Sequence, residues 1–349
     1  MTKVLVFLLQ FLLSLSLLKR YRALVSNTRS PPPGVRTTNR NCRNQCYKFN
    51  HGLYALTQRQ LQFWEDVGEG LDDMSNFYAT RGENIDRIRQ FGMRARGEIE
   101  LPIPAGECHE PSEEHIDGLT AKPFWETKDF SWAQSLEENA HIIQEEFESK
   151  LQQEENLFSG DSKWQNNVMG GGWSAIRLQR LGVWNMENCK EFPKTYELLR
   201  SLNIPLAVRG VCFARQAGGS GVKPHSDGRN FILTSHLGLQ VPDGCWIQVG
   251  NERKSWEKQK LLTLDTSFVH STGNPTSDDR YVLIIDCWHS ELTEPEQAAL
   301  EFVYDLRNKF ESGSVPVRKL KQPVVAKEEE GAGIGGWWNS IIGGADDGN

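Results

Sequence analysis

No aspartate or glutamate occurs before Glu65, although ten lysines and arginines do, so the formal net charge of -7 over 349 residues is carried by the chain from Glu65 onward. An acidic body of that kind excludes a nucleic-acid partner, which needs basic side chains gathered on one surface. Long apolar runs are missing too. The longest, residues 4–18, has fifteen positions with Gln10, Ser14 and Ser16 among them, short of the ~20 that span a bilayer. Cysteine is sparse: seven in the chain, an odd number with no Cys-x-x-Cys, which excludes a disulfide framework and a zinc-type cluster. Cys212, Cys245 and Cys287 sit in strand-like surroundings and are expected as buried, reduced thiols, whereas Cys42 and Cys46 fall in the leader.

What is present begins with that leader. Residues 1–18 place Lys3 before the apolar run, as in a signal peptide, and residues 19–50 are rich in Arg, Ser, Thr, Asn and Pro without acid, as in a transit segment. Together they imply entry into the secretory pathway. The plastid, reached through a bipartite leader, and the ER or secretory lumen are both open destinations, and an uncleaved run would act as a signal anchor and bring membrane association. Residues 51–120 are expected to form a helical extension and linker, with Leu56, Leu61, Phe63, Trp64 and Val67 buried and breaks at Gly68, Gly70 and Gly82. Residues 121–310 form the main domain, and residues 311–349, rich in Gly, Lys and Glu around Trp337-Trp338, a disordered tail. With 38% hydrophobic and 24% charged residues, the chain suits one globular domain with extensions.

Chemistry enters between Lys223 and Arg280. Lys223-Pro224-His225-Ser226-Asp227 is followed by Asp265-Thr266-Ser267-Phe268-Val269-His270. Two imidazoles and one carboxylate on a single octahedral face suit non-haem Fe(II), because three positions stay open for other ligands. At i and i+2 of an extended strand, His225 and Asp227 leave the same face, and His270 closes the triad from a second strand. His115-Ile116-Asp117 repeats the tripeptide, but Cys108-His109-Glu110-Pro111 and Glu113-Glu114 beside it predict a loop. Residues 231–239, 245–249, 261–264 and 281–287 are short runs of β-branched, aromatic and aliphatic residues. Pro242-Asp243-Gly244 and Gly273-Asn274-Pro275 punctuate them, which predicts a β-sandwich or small barrel. Arg280 opens the strand after His270, where its planar fork can grip a dicarboxylate.

These residues, with Glu187-Asn188-Cys189-Lys190, 193–199, His236-Leu237-Gly238-Leu239, Asn251-Glu252, Trp256-Glu257 and 286–293, resemble the aspartyl/asparaginyl β-hydroxylases over about residues 120–300. The resemblance implies a double-stranded β-helix (jelly-roll, cupin-like) core with flanking helices. It implies a dioxygenase using Fe(II), 2-oxoglutarate and O2, in which His225 and His270 hold iron while His236 and Arg280 contact 2-oxoglutarate. An Asp or Asn side chain in a protein or peptide, or a related small molecule, is the implied substrate. Two departures stand out. An animal member has no carboxylate at the position of Asp227, so this chain restores the ordinary triad. An arginine and a serine that serve the cosubstrate there fall on Thr234 and Ala214 here, which leaves Arg280 to carry more of the anchoring, or Arg215 or Arg229 to substitute. The alternative to an enzyme is a non-catalytic β-helix binding module whose cosubstrate pocket has degenerated.

Around this core the periodicity predicts an amphipathic helix over 134–151 with Leu136, Ile142, Ile143, Phe147 and Leu151 inward, and His141 on its solvated side. A strand over 173–181 carries Arg177 and Arg180, which face either solvent or an acidic substrate. A short helix over 195–202 leads into a strand over 207–214. Behind the capping box Thr293-Glu294-Pro295-Glu296 a structural helix is expected.

Overall fold

The computed structural model describes residues 58–95, 98–99, 109, 112, 114–159, 163–165 and 172–316. The leader, Leu56, Cys42, Cys46, Cys108 and the Trp337-Trp338 tail lie outside the described residues. In chain order the strands are β1 (Phe124–Trp125), β2 (Lys163–Gln165), β3 (Trp173–Arg180), β4 (Val183–Trp184), β5 (Leu206–Gln216) and β6 (Ser220–His225). They continue as β7 (Ile232–Gln240), β8 (Trp246–Val249), β9 (Glu252–Lys254), β10 (Leu261–Asp265), β11 (His270–Asn274) and β12 (Arg280–Trp288). One sheet runs β1-β10-β7-β12-β5-β3-β2 with β4 against β3, the other β6-β11-β8-β9, and the strand pairings are antiparallel. This is the mainly β, double-stranded β-helix core that the short, evenly punctuated runs predict.

Period-two alternation separates the two faces of the larger sheet. On β7, Leu233, Leu237 and Leu239 join an apolar cluster under the helices, while Thr234 and His236 line a cavity between the sheets. On β12, Leu283, Ile285 and Cys287 belong to the same cluster, and Arg280, Ile284 and Asp286 to the cavity. The helices that cover the outer face are α3 (Ala133–Glu138), α4 (Ala140–Gln153), α5 (Met186–Glu191) and α6 (Pro193–Ser201). They follow α1 (Gln58–Ala79) and α2 (Asp86–Ala95), and α7 (Glu294–Glu311) closes the described chain. Leu136, Ile143 and Phe147 are buried as the periodicity requires. The single helix expected over 134–151 is two, because Asn139 leaves helical geometry (φ -104, ψ 7) and its side-chain amide donates to Ser135 O at 2.9 Å. The capping box at Thr293 forms as expected.

The expected breaks at Gly68 and Gly70 are overturned, since α1 runs through both. Gly70 serves as a contact point instead: a Cβ there would lie 2.1 Å from the Phe302 ring of α7. Phe63, Trp64, Val67 and Leu71 of α1 and Ile85, Ile88 and Phe91 around α2 share one cluster with Phe231, Ile232 and Trp288 at the strand ends and with Leu300 and Val303 of α7. Among the described residues, no helix is long and apolar enough to cross a membrane.

Candidate metal and cosubstrate site

β6 ends on His225, directly opposite His270 in the register of β6 with β11, and the two rings lie 4.2 Å apart, centroid to centroid. Each imidazole donates Nδ1–H to a carbonyl two residues earlier, His225 to Lys223 O at 2.8 Å and His270 to Phe268 O at 2.9 Å. A carbonyl only accepts, so both rings are held as the tautomer whose Nε2 lone pair is free to ligate. Asp227 departs from the expected i, i+2 strand arrangement. The strand has already ended, and Asp227 sits in the connection to β7, pinned by its own N–H to Thr266 O at 2.9 Å. Even so, one donor atom from each of His225, Asp227 and His270 falls within 4.8 Å of the others. Burial lowers the His270 imidazole to about 4, which keeps it neutral and able to ligate. Burial works against the Asp227 carboxylate, but the Arg209 guanidinium bonded to it outweighs burial and holds the group well below the usual carboxylate range.

A second set of residues faces the same cavity of about 680 Å³. Arg280 is 2% exposed, its Nε and Nη1 have no hydrogen-bond partner, and its guanidinium lies over the Trp256 ring at 4.1 Å. The indole N–H of Trp256 donates to His236 Nδ1 at 3.1 Å, so His236 carries its proton on Nε2. Burial and then the charge of Arg280 push His236 well below its ordinary value, which makes it a neutral donor. A buried cation with orphaned donors beside a neutral N–H donor fits a carboxylate, and the neighbouring His-Asp-His set fits Fe(II).

Both substitutes considered for the arginine missing at Thr234 already have an acidic partner. Arg215 is paired with Asp279, and Arg229 with Glu114. The cation that reaches Thr234 is Arg209, which sequence reasoning missed. Strict alternation back from Ala214 and Cys212 turns Arg209 away from the cavity. The β5 register slips, however: Ile285 of β12 pairs with Val211 while Cys287 pairs with Leu206, and β3 shifts between Arg177 and Gln179. Gly210 sits in this bulge at φ +75. The bulge brings Arg209 into the cavity lining on one strand, and on the other lets Arg180 join Arg177, which alternation with Trp173 already turns inward. A glycine two residues before an inward Cys212 was the available signal. His115 and Asp117 do not join the triad: Asp117 pairs with Arg94 at 3.1 Å and His115 is buried against Asn230.

Residues 137–290 match the family model described as aspartyl/asparaginyl beta-hydroxylase. Human aspartyl/asparaginyl beta-hydroxylase is 33% identical over 192 residues, covering 53% of this chain and 25% of that protein. Human aspartate beta-hydroxylase domain-containing protein 2 is 30% identical over 175 residues, 48% of this chain and 47% of that protein. The chain thus spans between a quarter and about half the length of these relatives. A solved prolyl hydroxylase from Trichoplax adhaerens aligns with 14% identity and a TM-score of 0.31, over 49% of this chain and 97% of its own.

Proposed function

From a chain that resembles the aspartyl/asparaginyl β-hydroxylases over residues 137–290, we propose an Fe(II)- and 2-oxoglutarate-dependent dioxygenase that hydroxylates a C–H bond. The observation that carries this reading is the convergence of the His225, Asp227 and His270 donors on the cavity that also receives the partnerless Arg280 nitrogens. Bound Fe(II) would supply the activation of O2. The overall reaction puts one oxygen atom into the substrate and the other into succinate, with loss of CO2 from 2-oxoglutarate. The chain's own contribution is arrangement: His225 and His270 present fixed Nε2 lone pairs, His236 offers an N–H, and Arg280 holds the far carboxylate in a dry wall. Arg177 and Arg180 at the cavity lining favour an acidic substrate, an Asp- or Asn-containing protein or peptide or a related small acid. Delivery through the secretory pathway rests on residues 1–50 alone, and N-terminal sequencing of the protein from its native source tests it.

The decisive experiment measures Fe(II) stoichiometry and succinate release from 2-oxoglutarate with acidic peptides and amino acids. One Fe(II) per chain and iron-dependent succinate are expected, both lost in His225→Ala and His270→Ala. Asp227→Gly should weaken iron binding and leave residual turnover. Iron uptake and activity unchanged in either histidine variant would sink the triad, and no succinate with any substrate would favour the binding-module alternative.

A further inference from the structure

The β5 bulge sets one cation directly against the carboxylate of the triad. Arg209 donates through Nη1 to Asp227 Oδ2. Its Nη2 donates to Thr234 Oγ1 at 2.8 Å, Thr266 Oγ1 at 3.2 Å and Asp286 Oδ1 at 3.0 Å. The other carboxylate oxygen, Asp227 Oδ1, lies 3.8 Å from His225 Nε2. We propose that Arg209 is a positioning residue of the metal site: by holding Oδ2 it makes Asp227 a one-oxygen ligand through Oδ1 and keeps the remaining positions free for other ligands.

Three features support this. Asp227 lies in a connection rather than a strand, so its side chain lacks the fixed direction a strand provides, and an unheld carboxylate can swing away or chelate through both oxygens. Arg209 is itself fixed, because the acceptors of Nη2 come from β7, from the link between β10 and β11, and from β12. The cation also does not cancel the charge a metal needs. It is shared between Asp227 and Asp286, so the three groups together remain anionic. Partners that orient a metal ligand in this way are commonly worth 10- to 100-fold in metal affinity.

The inference rests on the proposed metal reading, and the test separates the two. Co(II) is titrated into the full chain without cosubstrate, following calorimetric affinity and the visible absorption of bound Co(II). The proteins compared are wild type, Arg209→Gln, Arg209→Lys, Asp227→Ala and the double variant Asp227→Ala/Arg209→Gln. Arg209→Gln should weaken binding about 10- to 100-fold and alter the absorption band, with Arg209→Lys intermediate because it keeps the charge without the fork. In the Asp227→Ala background the same change should leave affinity equal or raise it, since only a repelling cation is then removed. Wild-type affinity and spectrum in Arg209→Gln would overturn the inference alone. An equal loss in both backgrounds would also overturn it, by showing that Arg209 supports the fold rather than the ligand. No Co(II) uptake by the wild-type chain would sink the metal reading and this inference with it.

Discussion

Arg280 is a charge held where the protein gives it little in return. Burial lowers its guanidinium to about 10, two of its nitrogens are unpartnered, and the Trp256 ring is its nearest compensation. Removing an uncompensated buried charge is often neutral or stabilising, and a buried guanidinium with free donors suits an anionic ligand. A charge-assisted bidentate contact contributes roughly 1.5–3 kcal/mol. Arg280→Ala is therefore expected to raise the KM for 2-oxoglutarate by about one to two decades while leaving Co(II) affinity nearly unchanged and thermal stability equal or higher. Arg280→Lys should recover only part. An unchanged KM would move the anchor elsewhere. Asp265 gives a pH signature at the same scale. Fully buried, it is pushed up to about 7, while two bonds from Ser267 oppose that rise. Its folded value lies above its unfolded one, so the folded state binds the proton more tightly. Stability should fall, by roughly 1 kcal/mol per pH unit from this group, as pH rises from about 4 to about 7. Urea unfolding at pH 5 and pH 8 checks this: Asp265→Asn should gain on wild type at the higher pH. A constant difference between the two proteins would refute the assignment. That His225, His270 and Arg280 meet at one cavity was legible in the sequence from their order, their strand setting and the family resemblance. Arg209 was not, because what aims it is a slip in register whose one sign in the sequence is Gly210.

The element that makes the difference is β5. β3, β5, β7, β8, β10 and β12 were legible from their residue types, and β7 and β12 divide their side chains by parity between helix-facing apolar groups and the cavity. On β5 the parity breaks at Gly210, which a side chain cannot occupy without cost. At φ +75 a Cβ would be strained, and it would lie 2.1 Å from the backbone oxygen of Gln179. Gly210→Ala is expected to lower unfolding stability by roughly 1–3 kcal/mol. Because the same bulge directs Arg209 and Arg180, it should also weaken Co(II) binding in step with Arg209→Gln. Guanidinium unfolding and Co(II) titration of one variant measure both effects, and a loss of stability with untouched Co(II) affinity would separate the bulge from the site. The split of the helix at Asn139 was equally invisible to periodicity, since α3 and α4 keep their apolar faces in one register across it.

At the scale of the whole molecule, the residues before the β-sandwich are built into it. The apolar positions Phe63, Trp64 and Val67 were legible as buried, but what they bury against was not, because Phe231, Trp288 and α7 lie more than 150 residues later in the chain. Seven side chains of α1, α2 and the turn between them, from Phe63 to Phe91, are buried in that cluster. At roughly 1.5–3 kcal/mol each, their burial is comparable with the ~5–15 kcal/mol net stability of a domain. Polar ties reinforce the apolar ones. Arg87 pairs with the capping-box residue Glu296 at 2.7 Å, and the Asn230 side chain bonds both backbone groups of Ile116 at 2.8 Å. Glu114 meets Arg229, which lines the cavity. A chain beginning at residue 121 would leave Phe231, Trp288 and the inner face of α7 open to water and Arg229 without its carboxylate. It is expected to be poorly soluble or to unfold at markedly lower urea than the full chain, and to bind Co(II) more weakly even where it remains folded. Urea midpoints and light scattering of the two chains decide the matter. A monomeric short form with the midpoint and Co(II) affinity of the full chain would show that α1 and α2 only rest on a sandwich that stands without them.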